Sequence, residues 1–190
     1  AGTSVEIALA AICGPQDVLT AIAENKDNSD VAKGHRRQND LIPRQWRPFW
    51  AEAASRVGLN VARESLYYRN HMNAETVRRR MDPNLFDRFR KVTIVRNPWD
   101  REVSLYYWHT RDIADKPPFD RFVRRRLSDP ERKTYKIYSI DGRVVADTIL
   151  RYETLQEDFA AFVGSLGLPE PPALPRAKGN IRPGATRNYR

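Results

Sequence analysis

Residues 91–108 read Lys91-Val92-Thr93-Ile94-Val95-Arg96-Asn97-Pro98-Trp99-Asp100-Arg101-Glu102-Val103-Ser104-Leu105-Tyr106-Tyr107-Trp108, and their reading decides the fold. Lys91 to Val95 is a β-branched run flanked by charge, the pattern of a buried strand. Arg96 ends it and a helix start follows at once. Asn97 sits at the cap, Pro98 at the first helical position, and Asp100 where an acidic group meets the positive end of the helix dipole. Val103, Leu105, Tyr106, Tyr107 and Trp108 carry the helix on. A strand turning tightly into a helix N-terminus is a place for an anion, because amide groups and the dipole end point out of the turn and Arg96 adds a fork of donors. Ser104, about two helical turns in, can add its hydroxyl to the same ligand. The same residues also suit a structural role, a capped helix with Arg96 in a surface salt bridge.

Working outward, Gly2-Thr3-Ser4 leads into Val5-Glu6-Ile7-Ala8-Leu9-Ala10-Ala11-Ile12, a buried helix opened by small hydroxyl residues. It looks like the second half of a strand–loop–helix unit, as though the chain were cut inside a motif. Residues 15–40 are polar and rich in breakers, and read as loop with room for one short helix. From Pro43, Trp46, Phe49, Trp50, Ala53, Ala54 and Val57 recur at three- and four-residue steps, which predicts one amphipathic helix ending at Gly58. Asn73 caps a short helix carrying Val77 and Met81, and Pro83 to Phe89 adds another turn or two.

Further on, Phe119 to Leu127 reads as a helix and Asp141-Gly142 as a hairpin turn. Val144 to Leu150 is a second strand interrupted by Asp147. Thr154-Leu155-Gln156-Glu157 has the capping-box pattern, opening a helix with Phe159, Phe162, Val163 and Leu166 that Gly167 closes. Strands interleaved with helices predict an α/β layer architecture, in one domain over residues 1–190.

The 190 residues hold 33 Lys+Arg against 24 Asp+Glu, a net charge of +9. That balance points to an anionic partner or to a solubility device. A single cysteine, Cys13, excludes an internal disulfide and a Cys-based zinc cluster. No apolar run approaches the roughly 20 residues of a membrane span and no leader pattern is visible, so a soluble chain with the cytoplasm as default compartment is expected. No carboxylate cluster has metal-ligand spacing, and no metal is expected. Arg78-Arg79-Arg80 and Arg124-Arg125-Arg126 read as solvated helix faces, and His35 and His109 as surface or packing residues. Trp46, Trp50, Trp99 and Trp108 read as core aromatics that could also stack on a sugar. The basic, Pro/Gly-rich stretch from Leu174 to Gly184 reads as a solvated tail or a binding loop.

Taken together, these segments resemble the sulfotransferases. Residues 91–108 are similar to the family's 3′-phosphate-binding unit, Arg-Asn-Pro-x-Asp-Arg-x-x-Ser-x-Tyr, and Ala1-Gly2-Thr3-Ser4 to the end of its 5′-phosphosulfate loop, Pro-Lys-Thr-(Ala/Gly)-Gly-Thr-Ser. Asn70-His71-Met72-Asn73-Ala74, Asp147 to Leu155 and Leu174 to Arg182 are similar to stretches of bacterial relatives of the glycan 2-O-sulfotransferase group. The resemblance implies a P-loop-like three-layer fold, with a central mainly parallel sheet flanked by helices. It implies transfer of a sulfuryl group from 3′-phosphoadenosine 5′-phosphosulfate, as co-substrate, to a hydroxyl or amine of an acceptor such as a carbohydrate. Carried across, Gly2, Thr3 and Ser4 would hold the 5′-phosphosulfate, Arg96 and Ser104 the 3′-phosphate, and Lys178, Gly179 and Arg182 would close the nucleotide site. His71 is the candidate general base; a loop residue bonding backbone is the other reading. The family's loop Lys is absent from the chain as it stands, so little or no transfer activity is expected of it.

Two other functions fit parts of the same sequence. A different P-loop-like phosphotransferase is disfavoured by the missing Walker Lys-Ser/Thr pair and the absent acidic Mg²⁺ partner. A basic nucleic-acid-binding module would use the Arg-rich faces and aromatic rings, with affinity falling steeply as salt rises.

Overall fold

The structure is a computed structural model that describes residues 2–22, 37–59, 65–129, 134–168 and 170–175. Its elements run α1 (Gly2–Ala10), α2 (Phe49–Arg56), α3 (Ala74–Arg79), α4 (Pro83–Arg88), β1 (Val92–Val95), α5 (Pro98–His109), α6 (Phe119–Leu127), β2 (Ser139–Ile140), β3 (Arg143–Val144), β4 (Thr148–Arg151) and α7 (Leu155–Gly164). Helices and strands are mixed along the chain and include a small parallel sheet, consistent with the α/β class that the sequence predicts.

β1 and β4 pair in parallel, from Val92 opposite Thr148 to Val95 opposite Arg151. Parallel neighbours need a long crossover, and here it carries α5, α6 and the β2–β3 hairpin. The two strands therefore end on the same edge, with Arg96 following one and Tyr152 the other. Side chains alternate across a strand, which puts Leu150 on the core face while Ile149 stays 46% exposed on the other. The core holds Val5 and Ala8 of α1, Leu150 of β4, and Phe159, Phe162 and Val163 of α7, with Val92 and Ile94 packed against it. Burying one such large side chain is worth about 1.5–3 kcal/mol.

Local chemistry explains several boundaries. Asn73 and Asp82 cap α3 and α4 through the Thr76 and Asn84 amides. Asp141 (φ 49°) and Gly142 (φ 73°) are both left-handed, as the tight turn between hairpin strands requires. Elsewhere the structure departs from the expectations.

The helix expected from Pro43 to Gly58 is split into a 3₁₀ turn at Arg44–Trp46 and α2. Pro48 lacks an N–H and disfavours helical backbone at Arg47, which is extended (φ −77°, ψ 148°). Val144 belongs to the hairpin, and β4 begins only after Asp147. The capping box at Thr154 does not form: its hydroxyl bonds Asp158 Oδ1 at 3.1 Å, and a 3₁₀ turn, Tyr152–Thr154, leads into α7.

Candidate functional site

The strand-to-helix turn at residues 95–100 is built as its sequence suggests, but its amides are already in use. Asn97 Oδ1 accepts from the Trp99 N–H at 3.0 Å and from the Asp100 N–H at 3.4 Å. The Asn97 N–H donates to Glu153 Oε1 at 2.7 Å, the Arg101 N–H donates to the Asn97 carbonyl at 2.9 Å, and Pro98 has none to give. Outward-pointing amides were expected here. The cap and Glu153 consume them, so any anion held at this turn is held by side chains.

Arg96 is the first residue beyond β1. Its Nε donates to Asp100 Oδ2, and its guanidinium carbon lies 3.9 Å from the centroid of the Tyr152 ring. The salt bridge of the structural reading is thus formed, and a cation over an aromatic face adds attraction of its own. Asp100 thus holds the Nε edge of the group and Tyr152 covers a face. Among the described residues, the remaining donors of the Arg96 fork make no hydrogen bond, although its side chain is only 20% exposed. Ser104, half-buried on α5, has no hydrogen-bond partner among the described residues.

Gly2, Thr3 and Ser4 form the first turn of α1, with Ser4 buried and Gly2 exposed. A Cβ on Gly2 would meet no atom of the described residues within 4 Å. His71 is exposed in a turn with left-handed backbone (φ 62°), uncommon for a non-glycine residue. The preceding residue ties that turn to α1: the Thr20 hydroxyl lies 2.5 Å from Asn70 Oδ1 and 3.0 Å from Glu6 Oε1. Lys178, Gly179, Arg182 and His35 lie outside the described residues. His109 packs against Phe122, with ring centroids 6.1 Å apart. Among the described residues, no cluster of three or more His, Cys, Asp or Glu could hold a metal ion.

The sequence reading missed one buried charge cluster. Glu102 is 7% exposed, and its carboxylate accepts from Arg126 Nε and Arg101 Nη2, each at 2.8 Å. Burial would raise its pKa; the hydrogen bonds from Arg126 and then Arg101 outweigh that and hold it below the ordinary value. Arg126 is therefore no solvated face residue but the link between α5 and α6. Arg80 also departs from the solvated reading, since it is partly buried and its Nη1 reaches the Ser65 carbonyl at 3.4 Å. A glutamate within a mixed helix gives little local sign of which distant cation it meets. Two surface depressions stand apart from these groups. One, of about 430 Å³, is lined by Arg44, Arg47, Ser55, Arg56 and Leu66; the other, of about 300 Å³, by Pro117, Arg121, Phe122 and Arg125.

What the described residues define is an α/β protein in which no helix is long and apolar enough to cross a membrane. No family profile and no solved structure matches the chain. An uncharacterized protein of Archaeoglobus fulgidus is 34% identical over 110 residues, an alignment covering 52% of this chain and 85% of the archaeal one. The chain belongs to the same family as that archaeal protein.

Proposed function

We propose that the protein is a sulfotransferase of P-loop-like, three-layer fold that uses 3′-phosphoadenosine 5′-phosphosulfate as donor. The observation that carries this reading is the state of Arg96. It stands at the carboxyl edge of the parallel strands, where open α/β sheets take their ligands. Asp100 engages its Nε and Tyr152 its face, leaving the rest of the fork to a dianionic phosphate. Ser104 follows on the same helix, its hydroxyl without a partner among the described residues.

In this reading Gly2, Thr3 and Ser4 seat the 5′-phosphosulfate at the first turn of α1, and Arg96 and Ser104 hold the 3′-phosphate. Lys178, Gly179 and Arg182 close over the nucleotide. The acceptor oxygen attacks sulfur in line, and an S–O bond forms as the bond to the 5′-phosphate oxygen breaks. His71 takes the acceptor's proton, in support of which its turn is linked through Asn70 and Thr20 to α1. Positioning and charge stabilisation supply most of the catalysis in such a step.

Titration of the 190-residue chain with 3′-phosphoadenosine 5′-phosphate tests the reading. One saturable site is expected, and Arg96→Ala should weaken it by about tenfold or more, since a charge-assisted hydrogen bond is worth roughly 1.5–3 kcal/mol. Unchanged affinity in that variant removes the assignment. Absence of nucleotide binding, together with oligonucleotide binding that falls steeply with salt, would replace it with the nucleic-acid reading.

A further inference from the structure

The depression on α6 is separate from the Arg96 turn and has its own architecture. Its apolar floor is Pro117 and Phe122, and Tyr106 of α5 fixes both. The Tyr106 hydroxyl donates to the Pro117 carbonyl at 2.9 Å, and its ring meets Phe122 edge to face at 5.4 Å between centroids. Above this floor stand Arg121 and Arg125, one helical turn apart on one face of α6.

Among the described residues, neither guanidinium has a hydrogen bond, an ion pair or an aromatic partner, whereas Arg126 beside them is spent on Glu102. Two like charges at this spacing repel. Arg121 also lies in the first turn of its helix, where the dipole disfavours a cation. Folding therefore leaves two exposed cations in a costly arrangement at the rim of an apolar hollow. An anion between them would relieve both penalties, and the flat floor would take an apolar body attached to it. Ligand sites typically combine an apolar lining with a few convergent polar groups, and about 300 Å³ is at the lower end of their size range.

We propose that α6 and the residues leading into it form a binding site for a small organic anion, a carboxylate or sulfonate-type oxyanion borne on an aromatic body. Arg121 and Arg125 hold the oxyanion, and Phe122 and Pro117 take the ring. The proposal does not rest on the sulfotransferase reading, because none of these four residues belongs to the Arg96 turn.

The test is calorimetric titration of the 190-residue chain with 2-naphthalenesulfonate, with neutral naphthalene-2-sulfonamide and inorganic sulfate as comparison probes. The sulfonate should bind at one saturable site, at least about tenfold tighter than either comparison probe. The Arg121→Gln/Arg125→Gln double variant should lose about tenfold or more. Both side chains are exposed and without partners among the described residues, so its melting temperature should not fall below that of the unaltered protein. Arg78→Gln/Arg79→Gln, which removes the same charge elsewhere, and Arg96→Ala should both bind the sulfonate normally. The proposal falls if the sulfonamide or sulfate binds as tightly, if the double variant is unaffected, or if no binding is seen. Loss in Arg96→Ala alone would instead assign the probe to the Arg96 turn and also overturn it.

Discussion

Asp147 and Lys91 clasp one another just ahead of the parallel ladder. The Asp147 carboxylate accepts from the Lys91 backbone N–H at 2.6 Å and lies 3.1 Å from its Nζ, while the Asp147 N–H donates to the Lys91 carbonyl at 2.7 Å. The residue that interrupts the apolar run from Val144 to Leu150 thus stands just before β4, bonded to the residue just before β1. Asp147→Ala should lower the melting temperature clearly more than Asp112→Ala, whose carboxylate is 85% exposed beside Arg111. Parallel thermal melts of the two variants check this.

Glu102 joins α5 to α6 through Arg126. Removing one member of a buried, hydrogen-bonded charge pair leaves the other uncompensated and costs about 3–5 kcal/mol. Glu102→Ala should fall toward the lower end of that range because Arg101 keeps some solvent contact. Glu75→Ala breaks a looser exposed pair, 3.7 Å from Arg79, and should cost about 1 kcal/mol or less. Urea unfolding of both variants gives the comparison.

Asp158 predicts an acid-sensitive contribution. Hydrogen bonds from the Arg151 guanidinium and then the Arg151 backbone N–H outweigh desolvation and, with a lesser contribution from the Thr154 hydroxyl, lower its pKa from 3.8 to about 2. The folded value lies below the unfolded one, so the unfolded chain binds more protons in between. The stabilisation is complete above the unfolded value and is lost as pH falls through 3.8 toward about 2. Asp158→Asn should be less stable than the unaltered protein at pH 6, with the difference shrinking as acid is added. A difference that held constant from pH 6 to 2.5 would contradict the assignment.

Leu150 and Ile149 are neighbours on β4 with opposite fates. Leu150 is 1% exposed between α1 and α7, and Leu150→Ala should cost about 2–5 kcal/mol. Ile149, nearly half exposed, should cost about 1 kcal/mol on the same change. Equal losses in denaturant titrations would mean the sheet buries both faces.

Much of the chain was legible because its signals are local. Asn97, Asn73 and the Asp141-Gly142 turn act on amides or dihedrals within three residues, so their sequence pattern fixes their structure. Pro48 was equally local, yet the apolar spacing on either side of it masks the break. Thr154 and Glu157 satisfy the capping-box pattern, but Asp158 takes the threonine hydroxyl first. What sequence spacing could not reveal is pairing at a distance. Arg126 meets Glu102 across 24 residues, and Glu153 meets the Asn97 amide across 56. The second of these changes the candidate site itself, since it takes the Asn97 amide, which the local cap leaves open, and completes a closed cap at the helix start.

That closed cap has a consequence for how a ligand is received. With the Asn97 amide fastened to Glu153 and the Arg96 plane braced on Tyr152, the ends of β1 and β4 share one rigid frame. Under the proposed reading, a phosphate arriving at this frame would meet shape and charge already in place, with little ordering of these four residues left to impose.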